Sequence, residues 1–192
     1  MTLFNEDLYY QQTFSKLFLT NEIVNVKTFE ECVFDDCRFI DGSFEKIRFL
    51  NCRFNGCIVS AVKLSGCRFI QPVFQKSKII GIDWTRVTLL KEPEFQDCQI
   101  NYSNFRMLKI PKTKIINCEA KECEFTETDF TGAVFTGTDF EQSRFFKTKL
   151  SGADLRGSKK YNIDITNNII SEAKFSYPEA ISLLNNLDII IE

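Results

Sequence analysis

The chain contains no histidine. That absence removes the commonest general base and the Ser-His and Cys-His nucleophile pairs, and it rules out mixed Cys/His zinc sites. A glycine-rich phosphate loop is missing too. A non-enzymatic chain that needs neither metal nor cofactor is expected. No apolar stretch approaches the ~20 residues of a membrane span. Met1 to Gln12 carries Glu6 and Asp7 in place of the basic region and apolar run of a signal peptide. A cytoplasmic protein without membrane contact follows as the expectation. Charge of one sign is also scarce, since 24 Lys and Arg against 26 Asp and Glu leave a net charge of −2. The length of 192 residues fits one domain.

What the chain has instead is a period of five. Large hydrophobic residues fall at Phe4, Tyr9, Phe14, Leu19, Val24, Phe29, Phe34, Phe39, Phe44, Phe49, Phe54, Val59, Leu64, Phe69, Phe74, Ile79, Trp84 and Leu89. One residue is then inserted, and the count resumes at Phe95 and runs through Ile100, Phe105, Ile110, Ile115, Ala120, Phe125, Phe130, Phe135, Phe140, Phe145 and Leu150 to Leu155. Of the 20 Phe, only Phe18, Phe146 and Phe175 fall off these marks, where chance would leave about four in five off. Five matches neither the ~3.6-residue turn of a helix nor the alternation of a strand, so each unit is a short extended piece and a corner. Such a unit has no core of its own. It buries its large residue only by winding into coils that stack.

The position two residues before each mark selects small side chains. It holds all eight cysteines (Cys32, Cys37, Cys52, Cys57, Cys67, Cys98, Cys118, Cys123) together with Gly42, Ser77, Ser103, Thr113, Thr128, Ala133, Thr138, Ser143, Thr148 and Ala153. Residues two apart on an extended segment point the same way, so large and small residues share the interior and the charged ones face out. Neighbouring cysteines are five apart, on consecutive faces of a coil, and not in the closely spaced pairs of zinc ribbons. Stacked pairs such as Cys32/Cys52 and Cys37/Cys57 lie one coil apart. They read as reduced thiols serving as small buried apolar fillers. The inward marks carry no paired acids beyond the first coils.

With Ala153-Asp154-Leu155-Arg156-Gly157, and the variants Thr128-Asp129-Phe130, Thr138-Asp139-Phe140 and Ser103-Asn104-Phe105, the chain resembles the pentapeptide-repeat family. The resemblance implies an all-β fold, a right-handed quadrilateral parallel β-helix with four units per coil. The marks would then make just under eight coils, a narrow rod of roughly 37 Å at the ~4.8 Å spacing of paired strands. In the first coils Asp7, Gln12, Leu17, Glu22 and Lys27 occupy the small position, and residues 1–24 are expected to form an N-terminal cap or irregular first coils. Residues 25–157 would form the solenoid, and residues 158–192 a C-terminal cap and dimerisation segment.

The inserted residue is placed in Leu90-Lys91-Glu92-Pro93-Glu94, as a bulge absorbed at a corner or as a protrusion that partners touch. Trp84 reads as a larger core residue beside an irregular coil. After Leu155 the count stops. Ser176-Tyr177-Pro178-Glu179 has the form of a capping box with Ser176 as N-cap. It opens a short helix with an apolar face of Ala180, Ile181, Leu183, Leu184 and Leu187 that ends at Asn185-Asn186. Ile189-Ile190-Ile191 reads as an edge-pairing strand. Helix and strand either cap the rod or join two rods end to end. Members of the topoisomerase-protecting branch of the family dimerise through such a helix, so a homodimer through Ile181, Leu184, Leu187, Ile189 and Ile191 is the implied partner arrangement.

That branch includes Qnr-type quinolone-resistance proteins and immunity proteins that shield DNA gyrase. Its dimers are described as acidic rods that mimic duplex DNA. Here the charge is two-ended. Gly42 to Lys91 holds Lys46, Arg48, Arg53, Lys63, Arg68, Lys76, Lys78, Arg86 and Lys91 against Glu45 and Asp83, a net of +7. Glu119 to Glu141 holds Glu119, Glu122, Glu124, Glu127, Asp129, Asp139 and Glu141 against Lys121, a net of −6. The acidic band is the candidate surface for DNA gyrase or topoisomerase IV. The large loops of Qnr-type proteins have no counterpart in this sequence. Leu50, Ile70 and Leu90 are expected as an outward apolar ladder that marks a partner surface. Two functions emerge: a DNA-mimicking topoisomerase binder that protects against quinolones or peptide toxins, and a scaffold or adaptor with an unrelated protein partner. Direct nucleic-acid binding is disfavoured, because little exposed aromatic surface accompanies the bases.

Overall fold

The computed structural model describes residues 4–187 and 189. Three-residue parallel strands stack into a four-faced β-helix, the expected fold class. The first face carries Leu8–Tyr10, Thr28–Glu30, Arg48–Leu50, Arg68–Ile70 and Leu89–Lys91. The second carries Thr13–Ser15, Val33–Asp35, Arg53–Asn55, Val73–Gln75, Glu94–Gln96 and Lys114–Ile116. The third has Phe18–Thr20, Arg38–Ile40, Ile58–Ser60 and Lys78–Ile80. The fourth has Ile23–Asn25, Ser43–Glu45 and Lys63–Ser65. The middle residue of each strand points inward and its neighbours point out. Beyond these strands the ladder continues as single bridges from Lys78↔Gln99 to Asp154↔Lys174.

Stacking puts each marked ring directly over the one a coil below. Phe14, Phe34, Phe54, Phe74 and Phe95 form a column with centroids 5.2, 4.8, 4.8 and 5.0 Å apart, all stacked. The corner after each face needs a left-handed residue, and mostly non-glycine residues supply it, as at Gln11 (φ 51), Lys16 (φ 55) and Asn21 (φ 57). Their amides donate to the next coil, Gln11 N to Glu30 O at 3.0 Å and Lys16 N to Asp35 O at 2.8 Å, which helps offset that strain.

The small position is more than a filler. Along the corner between the second and third faces, each hydroxyl or thiol donates to the carbonyl of a marked residue one coil back: Cys37 to Phe14 (3.2 Å), Cys57 to Phe34 (3.3 Å), Ser77 to Phe54 (3.1 Å), Cys98 to Phe74 (3.3 Å) and Thr138 to Ile115 (2.7 Å). Cys, Ser and Thr therefore recur here because the site rewards a donor as well as small volume.

Three expectations need correction. The extra residue lies before Leu90, because Phe69 pairs with Leu90 and Phe74 with Phe95. The 3-10 turn Trp84–Arg86 takes the place of a strand, with Trp84 buried and the Arg86 carbonyl accepting from Gly66 N at 3.2 Å. Leu90 is thus an inward residue, only 5% exposed, and cannot belong to an outward ladder; Lys91 stands in register with Ile70 instead. Full strand pairing begins at Leu8, and bridges persist to Lys174 past an irregular step at Phe145↔Ile163. Finally, Ser176 and Glu179 form no capping box. The C-terminal helix is a 3-10 segment, Glu179–Leu184, preceded by Pro178 with no side-chain cap. The Ser176 hydroxyl accepts from Gly157 N at 2.8 Å, and the Glu179 carboxylate accepts from Lys160 N, so both side chains serve the coil beneath. Leu183 packs on the core while Ile181 is 43% exposed, and Asn185 ends the segment. Ile191 lies outside the described residues.

Candidate partner-binding surfaces

The interior offers a ligand no room. Two internal gaps, one against Trp84 and Phe74 and one against Phe29 and Phe34, are each about 10 Å³, space for at most one water. All eight thiols are free and buried. Burial pushes Cys52 and Cys123 up to about 12 and Cys67 up to about 11, far from a thiolate at neutral pH. Among the described residues no three Cys, Asp or Glu are grouped to hold a metal, and no helix is long and apolar enough to cross a membrane. Chemistry with a partner is therefore a matter of the outer faces.

The acidic stretch does not fold into one band. Glu119, Asp139 and Glu141 lie on the third face, Glu124 on the fourth and Asp129 on the first, with Glu122 and Glu127 at the two corners between them. Bases interleave with them. Asp129 stands between Lys109 and Lys149, and Glu124 between Asn104 and Arg144. On the third face Lys121 and Lys160 each reach Glu141 at 3.1 Å and approach Asp139 at 4.0 and 3.6 Å, with Lys159 at 3.8 Å. The Lys160 ammonium, with Lys121 second, holds the Glu141 carboxyl below its ordinary range. At Asp129 burial acts upward, but Thr131 and Lys149 outweigh it and the carboxyl is lowered. Glu119, Glu122 and Glu127 make no ion pair among the described residues, and they are the carboxylates left open to a partner.

The basic stretch behaves differently. Among the described residues, of its nine bases only Arg86 meets a carboxylate, Asp83 at 3.2 Å. Arg48 and Arg68 stand in register on the first face, with half-exposed Leu50 and Ile70 in register beside them. Charge counts along the sequence located both stretches but not their neutralisation, which depends on residues 20 apart being spatial neighbours.

The first coil adds exposed apolar residues that lie between marks, Leu8, Tyr10, Phe18, Ile23 and Val26. Of the predicted dimer residues, Ile181 and Ile189 are exposed and Leu184 and Leu187 half-buried.

A family model described as "Pentapeptide repeat region" matches residues 27–105, and one described as "Pentapeptide repeats (8 copies)" matches residues 123–159, together more than half of the chain. No curated protein matches the sequence. Among solved structures, the trypsin-treated form of QnrB1, a plasmid-mediated fluoroquinolone resistance protein, is 16% identical with a TM-score of 0.58, covering 92% of this chain and 99% of that one. HetL, a protein involved in heterocyst differentiation regulation in the cyanobacterium Nostoc, is 12% identical with a TM-score of 0.45, covering 88% of this chain and 90% of that one.

Proposed function

Because the chain belongs to the pentapeptide-repeat family, we propose that it is a non-enzymatic, protein-binding rod whose partner is a type II topoisomerase, DNA gyrase or topoisomerase IV. In this reading the open carboxylates of the acidic stretch mimic duplex DNA, and binding protects the enzyme from quinolones or peptide toxins. The observation that carries the protein-binding half is the solid interior with every thiol buried, which leaves only outer faces for recognition. The choice of partner is supported by the similarity to QnrB1 over nearly the whole of both chains, and by the free carboxylates of Glu119, Glu122 and Glu127. Two rods joined through the C-terminal segment would double that surface.

The test is gyrase supercoiling in the presence of a quinolone, with and without purified protein. Supercoiling should be restored by the wild-type chain, less so at high salt, and not by a variant with Glu119, Glu122 and Glu127 changed to Lys. No binding to the gyrase A subunit at micromolar concentration removes the topoisomerase reading. An adaptor with an unrelated partner is the second reading, and the arginines Arg48 and Arg68 on the first face, without an ion pair among the described residues, are the observation that favours it.

A further inference from the structure

Opposite charges one coil apart recur on this surface. Lys27 stands over Asp7 (3.2 Å), Lys114 over Glu94 (3.0 Å), Lys149 over Asp129 (3.7 Å), Lys159 over Asp139 (3.8 Å) and Glu141 over Lys121 (3.1 Å). The part of the first face between Arg48 and Lys91 departs from this pattern. Arg48 and Arg68 are direct register partners on neighbouring strands, and neither has an ion pair among the described residues. Like charges placed so are destabilising. Their row gives no relief, since Thr28 precedes Arg48 and Leu89 follows Arg68. In the adjacent row, which begins at exposed Tyr10 two strands below Leu50, Glu30 pairs in register with Leu50 and makes no ion pair with either arginine. That adjacent row continues as Leu50, Ile70 and Lys91.

The outcome is a flat sheet face on which three cations and three half-exposed aliphatic side chains share six neighbouring positions. We propose that Arg48, Leu50, Arg68, Ile70, Leu89 and Lys91 dock an acidic, aliphatic segment of a partner protein. Its carboxylates bridge the two guanidinium groups, whose planar forks suit them, and its apolar side chains cover Leu50, Ile70 and Leu89. The charge identifies an anionic occupant, and the aliphatic half of the patch identifies a polypeptide. A nucleic acid would leave Leu50 and Ile70 unmet and would find no aromatic ring here on which to stack a base. This inference rests on the protein-binding half of the reading above and is independent of whether the partner is a topoisomerase.

The experiment is selection of a random displayed dodecapeptide library on the intact protein, followed by affinity measurement on the enriched peptides by fluorescence anisotropy. Enriched sequences should combine Asp or Glu with Leu, Ile or Val. They should bind an Arg48→Glu/Arg68→Glu variant about tenfold or more weakly, and a Leu50→Ser/Ile70→Ser variant more weakly as well. Thermal melts separate recognition from folding: an Arg48→Gln/Arg68→Gln variant removes the like-charge repulsion, so its melting temperature should be unchanged or higher while its affinity for the peptides falls. The proposal is overturned if no acidic aliphatic class is enriched, or if the peptides bind the arginine variant as well as the wild type. It is equally overturned if a DNA or RNA oligonucleotide, or a phosphatidylserine vesicle, binds the arginine pair more tightly than the peptides do. No topoisomerase is present in the selection, so its failure and the failure of gyrase protection are separate results.

Discussion

The Ser77 hydroxyl lies between two coils, accepting from the Cys57 amide at 2.9 Å and donating to the Phe54 carbonyl at 3.1 Å. Both partners are buried main-chain groups. Ser77→Ala should therefore cost about 1–3 kcal/mol, the penalty for leaving such groups unsatisfied. Ser77→Cys should cost less, because cysteine makes the same bridge at position 98, accepting from Ser77 N at 3.4 Å and donating to Phe74 O at 3.3 Å. Urea denaturation of the two variants checks this, and equal losses would mean that volume alone matters at the corner.

Trp84 fills the core at the one place where the coil gains a residue. Its ring meets Phe69, Phe74, Phe95 and Phe105 with centroids 5.3 to 6.0 Å away, but its indole Nε1 is buried without a hydrogen-bond partner. Trp84→Ala should cost about 3–5 kcal/mol. Trp84→Phe removes the unpartnered N–H along with some volume, and should cost under about 1.5 kcal/mol. A large loss in the Phe variant would show that the six-membered half of the indole holds the 3-10 turn in place.

The β-helix was legible because a period of five has one structural solution and the aromatic marks kept phase over most of the chain. The position of the slip was not. Leu89 and Leu90 are adjacent and alike, so either could hold the mark, and only the pairing of Phe69 with Leu90 decides. The capping box misled for a related reason. Its pattern is local, yet Ser176 and Glu179 serve amides of Gly157 and Lys160 one coil below. The acidic stretch lost its coherence in the same way, because five-residue faces turn near neighbours in sequence onto different sides of the rod.

Stability should depend on pH through Glu141. Hydrogen bonds from Lys160 and Lys121 lower its carboxyl from the ordinary 4.5. A carboxyl lowered on folding stabilises above its unfolded value, and that contribution is lost as pH falls through the folded value. Lys121 and Lys160 are raised by the same contact, so their contribution is present below 10.5 and fades as pH rises beyond it. Melting temperature should therefore fall on the acid side of about pH 4.5, and Glu141→Gln should flatten that limb. The groups are exposed, so salt should weaken the effect. Parallel acid limbs in wild type and variant would assign the slope to other carboxyls.

The C-terminal segment is one place where two rods could meet. Leu183 turns to the core, whereas Ile181 is 43% exposed and Ile189 53% exposed, with Leu184 and Leu187 half-buried between them. An apolar end of this kind is costly to leave in water, and in the proposed dimer a second copy would cover it through the same patch on both sides. Sedimentation velocity should then show a dimer for the wild-type chain at micromolar concentration. Ile181→Glu places two carboxylates at that contact and should weaken association about tenfold or more, with an unchanged thermal melt, since the side chain does not belong to the core. A monomeric wild type, or an Ile181→Glu variant that associates as tightly, would make the segment a cap for a single rod.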